Sequence, residues 1–127
     1  MPEFKPVLYL KASCPFCLKV AAFLSEIGAF DKFELRQFWP DEDDQREAPI
    51  RAELAAHFEQ ASFPTVQYAP GKFLNESDAI IAHYADCYGI DAQALPFYRY
   101  VIEGPIRRMR EQFRTINELS ERLSAEA

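Results

Sequence analysis

Cys14 and Cys17 enclose Pro15 and Phe16, directly after the apolar run Val7-Leu8-Tyr9-Leu10 and directly before a helical pattern. A thiol at such a strand-to-helix junction sits at the positive end of the backbone dipole. Its pKa falls there, and the thiolate is nucleophilic at neutral pH. The chemistry expected of this box is redox: Cys14 attacks and Cys17 resolves. Two other readings compete. One is half of a zinc site, which needs two more ligands from Cys87, His57 and His83, none of them in a second paired box. The other is a pair of inert buried thiols, against which Pro15 and the strand-to-helix context argue. We expect no resident metal.

The elements that must position the box can be followed along the chain. Residues 5–10 form a short buried strand. Pro15 suits the first turn of a helix, where no amide hydrogen is needed. Val20, Phe23, Leu24 and Ile27 recur at helical spacing, and Gly28 ends that helix. Phe33, Leu35 and Gln37 alternate with Glu34, Arg36 and Phe38 as a second strand, broken at Trp39-Pro40. Asp41-Glu42-Asp43-Asp44 opens a solvated loop that leads to a helix from about Ala48 to Phe58. Thr65-Val66-Gln67-Tyr68 and Lys72-Phe73-Leu74 are two strands around the turn Ala69-Pro70-Gly71. They stand too close for a helical crossover and are expected antiparallel. Ser77 is the expected N-cap of a further helix with Ile80, Ile81, Tyr84 and Ala85 on its apolar face, closed by Gly89. The order β-α-β-α-β-β-α predicts an α/β fold, a mixed sheet with helices on both faces.

The chain has 127 residues, of which 49% are hydrophobic and 14% aromatic, and a formal net charge of -6. Its length allows one core, divided here into a domain over 1–90 and a helical extension over 91–127. The negative charge argues against nucleic acid as a partner. An odd count of three cysteines is unlike a disulfide-stapled secreted fold and fits a reducing cytoplasm. No stretch reaches the ~18 apolar residues of a membrane span. In the extension, Ile102, Ile106, Met109, Phe113, Ile116, Leu119 and Leu123 make one stripe of an amphipathic helix. That stripe either packs on the domain's own surface or forms the seam of a homodimer. The basic cluster from Arg107 to Arg114 is interspersed with acids and reads as a solvated face.

Taken together, the Cys box, Phe63-Pro64-Thr65-Val66 before the hairpin and Asn75-Glu76-Ser77-Asp78 opening a helix resemble the thioredoxin-like fold of glutaredoxins and of glutathione transferase N-terminal domains. The resemblance covers residues 5–88. It implies a glutathione-dependent thiol–disulfide oxidoreductase that acts on protein or glutathione mixed disulfides through Cys14. It also implies a cis bond before Pro64, with the Phe63 amide and carbonyl pairing with the cysteine of bound glutathione as a short added strand. Glu76 and Ser77 resemble the pair that receives the γ-glutamyl group. The ligand's α-carboxylate would lie on the Ser77 hydroxyl and the helix amides, its ammonium on Glu76. Asp78 either helps that ammonium or caps the helix. Lys11 would hold the glycine carboxylate and favour the Cys14 thiolate, or stand as a surface lysine. Phe16 occupies the place of a tyrosine common in glutaredoxins, beside the ligand.

Two departures from the family pattern bear on the activity. The γ-glutamyl site lacks the glycine-rich turn and acidic pair usual in glutaredoxins. One long helix stands where transferases continue into an all-helical domain, which puts conjugation in doubt and leaves disulfide exchange. Two alternatives remain open. One is a non-catalytic, transferase-like binding or regulatory module acting through the C-terminal helix; the other is an iron–sulfur carrier bridging two subunits through Cys14 and glutathione. His57 and His83 are expected as ordinary helix residues and Cys87 as a buried one.

Overall fold

The sheet is built around one strand whose side chains are buried on both faces. The computed structural model describes residues 4–40 and 43–126. Within them, β1 (Val7–Lys11), β2 (Glu34–Phe38), β3 (Thr65–Ala69) and β4 (Lys72–Asn75) form a four-stranded sheet in the order β2-β1-β3-β4. β1 runs parallel to β2, pairing Leu8 with Leu35, and antiparallel to β3, pairing Leu8 with Val66. β3 and β4 form an antiparallel hairpin with an irregularity between Gln67 and Ala69. This is the thioredoxin-like mixed sheet that the order of elements implied.

Alternation along β1 divides the core in two, because successive strand side chains face opposite ways. Leu8 and Leu10 pack with Val20, Phe23 and Leu24 of α1 (Pro15–Glu26) and with Ile80 and Ile81 of α3 (Ser77–Tyr88). Val7 and Tyr9 face the other way, against Phe38 and against Ile50 and Leu54 of α2 (Glu47–Ala55). Helices on both faces explain why β1 is a continuous apolar run rather than an alternating one.

Several boundaries differ from the sequence reading. β1 begins at Val7 and takes in Lys11. α2 ends at Ala55, where the Leu54 carbonyl accepts from both His57 and Phe58 amides, so His57 lies in the turn after the helix and stacks on Phe73 at 4.4 Å. Ser77 is the first residue of α3 rather than its N-cap. Glu76 takes the cap position, its carbonyl accepting from the Ile80 amide, with φ at 73°. Cys87, expected to be buried, is exposed. It shares the helical phase of Ile80 and Tyr84, but full burial along α3 ends at Tyr84, and Cys87 in the last turn stays exposed. Asp41 and Glu42 of the acidic loop lie outside the described residues. Asp44 in the same loop accepts from the Trp39 amide and from the Arg46 side chain.

The extension is not one uninterrupted α-helix. α4 (Pro96–Val101) leads through a π turn at Ile102–Ile106 into α5 (Arg107–Glu126). Pro105 sits inside the π turn, where it has no amide hydrogen for the helical ladder and its ring crowds the preceding turn. α4 packs on α1: Tyr98 meets Phe23 edge-on at 5.7 Å, and Val101 and Ile106 bury against Ala22. The Glu26 carboxylate accepts from the Phe97 and Tyr98 amides, satisfying donors at the start of α4 that Pro96 leaves without partners. Packing on the domain's own surface therefore accounts for the stripe as far as Ile106. Beyond it, Phe113, Ile116, Leu119 and Leu123 are 49–69% exposed.

Candidate active site

Cys14 occupies the N-cap of α1 in extended backbone, so its Sγ faces the first free amides of the helix. Pro15 has none to offer. Cys14 makes no side-chain capping hydrogen bond, but the Phe16 and Cys17 amides and the Cys17 thiol all act on its charge. The Cys17 thiol is the strongest influence on Cys14. Against partial burial, and with the two amides and the Lys11 charge assisting, it draws the Cys14 pKa down to about 6. Cys17 moves the other way, raised by its own bond to Cys14 and by burial. It is 3% exposed, and its Sγ accepts from the Lys11 amide at 3.3 Å. The two thiols thus shift in opposite directions, the half-buried Cys14 towards the anion and the buried Cys17 towards the protonated form.

The loop before β3 brings the second part of the site. The Phe63–Pro64 bond is cis, and the Phe63 carbonyl lies 3.9 Å from Cys14 Sγ. A carbonyl at that distance favours the protonated thiol, against the lowering by Cys17 and the helix amides. Thr65 holds the loop through its hydroxyl, which donates to the Ser62 carbonyl at 2.8 Å. Arg51 of α2 lies over both the Phe63 ring, at 5.4 Å, and the Phe38 ring, at 5.5 Å. Phe63 and Phe38 themselves meet edge-on at 5.1 Å.

A cavity of about 350 Å³ is lined by Phe16, Ser62, Phe63, Pro64, Glu76, Ser77 and Asp78. Cys14 is not among these residues and meets the cavity only through its contact with the Phe63 carbonyl. The fold thus brings Phe16, Phe63, Pro64, Glu76 and Ser77 to one surface from three separate stretches of sequence. Lys11 is half-buried at the end of β1 and is not among the lining residues; it acts on the site through its charge and its amide. Ser77 is buried in the first turn of α3, while Glu76 is exposed at its cap. Among the described residues no group of three or more His, Cys, Asp or Glu side chains is placed to hold a metal ion. Cys87 pairs instead with His83 on α3, at 3.7 Å.

The sequence reading missed Lys19. Its side chain is 10% exposed, and its ammonium pairs with Asp78 on the cavity rim, whose side chain is 86% exposed. Part of the signal was present. Lys19 stands four residues after Pro15 and four before Phe23, both buried, so helical phase alone turns it inward. Its partner, fifty-nine residues away, was not readable. Among the described residues, no helix is long and apolar enough to cross a membrane.

No curated protein matches the chain. Among solved structures it is similar to glutaredoxin 2 from Salmonella typhimurium in complex with glutathione, at 22% identity and a TM-score of 0.53, over 69% of this chain and 36% of that one. It is also similar to oxidized glutaredoxin 2 from Chlamydomonas reinhardtii, at 22% identity and a TM-score of 0.46, over 78% and 79% of the two chains. Glutathione transferase Omega 3C from Trametes versicolor matches at 19% identity and a TM-score of 0.46, over 69% of this chain and 34% of that one. The chain spans about a third of the length of the Salmonella and Trametes proteins. The Salmonella likeness is one of fold. The family model for glutaredoxin matches residues 7–73, more than half of the chain and the stretch that holds β1, the Cys box and the Phe63-Pro64 loop. The chain belongs to the glutaredoxin family.

Proposed function

We propose that the chain is a glutathione-dependent thiol–disulfide oxidoreductase acting through Cys14. The observation that carries this reading is the position of Cys14. Its thiolate is favoured at the N-terminus of α1, beside the carbonyl of Phe63, a residue that lines the cavity. The Cys14 thiolate attacks the glutathione sulfur of a mixed disulfide, R–S–S–G. The S–S bond breaks, RS⁻ leaves and takes a proton from solvent, and Cys14–S–S–G forms. A second glutathione thiolate attacks the glutathione sulfur of Cys14–S–S–G, forming GSSG and returning the Cys14 thiolate. On the dithiol route Cys17, after losing its proton, attacks the Cys14 sulfur instead and glutathione thiolate leaves. The Cys14–Cys17 disulfide that forms is reduced by two further glutathiones to GSSG. With a second glutathione the sum is R–S–S–G + GSH → RSH + GSSG.

Glutathione lies in the cavity as substrate. Its cysteine backbone pairs with Phe63, and its γ-glutamyl group reaches Glu76 and Ser77. Phe16 and Pro64 supply apolar walls, and Lys11 adds a favourable charge. A cytoplasm that keeps thiols reduced is the compartment we assign. The test is reduction of a small neutral glutathione mixed disulfide. Cys14→Ser is expected to abolish turnover, and turnover near the wild-type rate in that variant would sink the reading.

The exposed residues Phe113, Ile116, Leu119 and Leu123 favour a second reading. There the chain is a binding or regulatory module joined to a second copy through α5. Two measurements separate the readings. A Cys14 alkylation midpoint near the ordinary thiol value of about 8.5 supports the module. Sedimentation equilibrium of wild type against Ile116→Glu/Leu123→Glu reads the dimer directly.

A further inference from the structure

Phe16 lines one cavity, the one assigned to glutathione, and lies against Arg110, which lines another. Over the Phe16 ring lies the guanidinium of Arg110 from α5, 5.8 Å from the centroid. Arg110 shares a helix face with Arg107 and Arg114, three residues before it and four after. The three arginines line a second cavity of about 330 Å³ with Ile102 and Glu111. Glu111 is the one carboxylate in that lining, and Glu103, paired with Arg99, lies within charge reach of Arg107. Among the described residues none of the three arginines makes an ion pair within 4 Å. On a chain of net charge -6, this is a local cationic hollow that reaches the Phe16 ring through Arg110.

We propose that this arginine hollow recognises an acidic peptide segment flanking the disulfide-bonded cysteine of a protein substrate. The proposal rests on the reading of Cys14 as the attacking thiolate. A mixed disulfide has two halves. When the glutathione half fills the cavity between Phe16, Phe63 and Ser77, the Phe16 ring separates it from the peptide half, which then passes over Arg110. Guanidinium groups fit carboxylates through paired N–H···O bonds, and the stack on Phe16 holds Arg110 at the entrance. Arg107 to Arg114 spans roughly 10 Å at the helical rise of about 1.5 Å per residue. A single carboxylate cannot cover that length. An extended segment, whose side chains on one face recur about every 7 Å, presents carboxylates to both ends. The bond changes are those of the first exchange step, with the acidic peptide as the departing thiolate.

The test compares two glutathionylated peptides of equal length that carry Glu or Lys at the positions flanking the cysteine. With the full chain at low salt, kcat/KM is expected to favour the acidic peptide roughly tenfold, the size of two or three exposed charge pairs. The preference should fall towards one as salt rises and the Debye length shrinks. Arg107→Glu/Arg114→Glu should reverse it. A wild-type ratio near one, or a ratio indifferent to salt, overturns the proposal without any variant. An unchanged ratio in the charge-reversed protein overturns it as well. A neutral small glutathione mixed disulfide is run in parallel. Its failure to turn over removes the redox reading itself, whereas its turnover without a peptide preference removes only the arginine assignment.

Discussion

Cys14 Sγ and the Phe63 carbonyl oxygen lie 3.9 Å apart across forty-nine residues of sequence. That contact joins the nucleophile to the backbone expected to align its substrate. Phe63 is held on the far side by Arg51, which covers its ring. Arg51→Ala should loosen this support and raise KM for glutathione about two- to fivefold, the scale of one partly exposed cation–π contact, with a smaller change in kcat. Steady-state kinetics with glutathione varied checks it. An unchanged KM would show that Phe63 holds its place without Arg51.

The lowered pKa of Cys14 makes its reactivity depend on pH in a defined sense. A group whose folded pKa is depressed is in its anionic form above that pKa and loses it as pH falls through it. With Cys14 near 6, alkylation of the folded protein should be close to its plateau at pH 7.5 and half-maximal near pH 6. Stopped-flow iodoacetamide labelling of Cys17→Ser/Cys87→Ser, which isolates Cys14, reads the midpoint.

The Cys17 thiol is the largest influence on Cys14, so the two replacements of Cys17 should differ. Cys17→Ser keeps an O–H donor and should leave the Cys14 midpoint low. Cys17→Ala removes the donor and should move the midpoint up by roughly one pH unit, the worth of a hydrogen bond to a charged group. Both should retain removal of glutathione from a mixed disulfide and lose dithiol exchange. Equal midpoints in the two variants would assign the low pKa to the helix amides instead.

Lys19 and Asp78 tie α1 to the cavity rim, and the two halves of this pair should not be equivalent. Asp78→Ala leaves a nearly buried ammonium without its partner and should cost about 1–3 kcal/mol of stability. Lys19→Met keeps the buried apolar stem and leaves behind only a well-solvated carboxylate, so it should cost less. Urea unfolding of both variants at pH 7 measures the difference. A larger loss in Lys19→Met would contradict the burial asymmetry.

Much of the architecture was readable because it rests on local chemistry. The apolar run of β1, Pro15 at the start of α1, the glycines with positive φ at the ends of α1 and α3 and the Pro70-Gly71 turn each act over a few residues. The misreadings arose where the local signal was right and the surroundings decided. Cys87 has the phase of a core residue but stays exposed in the last turn of α3. Ser77 has the chemistry of an N-cap, yet Glu76 takes that position and Ser77 is buried one place on.

By itself, the sequence determined that a pair of thiols stands between a buried strand and a helix, and that Phe63-Pro64 and Glu76-Ser77 follow in an order shared with a glutathione-binding family. Strand period, helix period and turn residues are properties of neighbouring residues, so sequence alone expresses them. Only the tertiary structure decided which distant groups meet. It set Lys19 against Asp78, Arg51 over Phe63 and Arg110 over Phe16. It also split the C-terminal stripe at Ile106 into a packed half and an exposed one. Those outcomes depend on how helices and sheet pack around a shared core, and side chains far apart in sequence carry no local mark of one another. For that reason Arg110, part of a basic cluster that reads as a solvated face in the sequence, stands in the fold over the ring of Phe16.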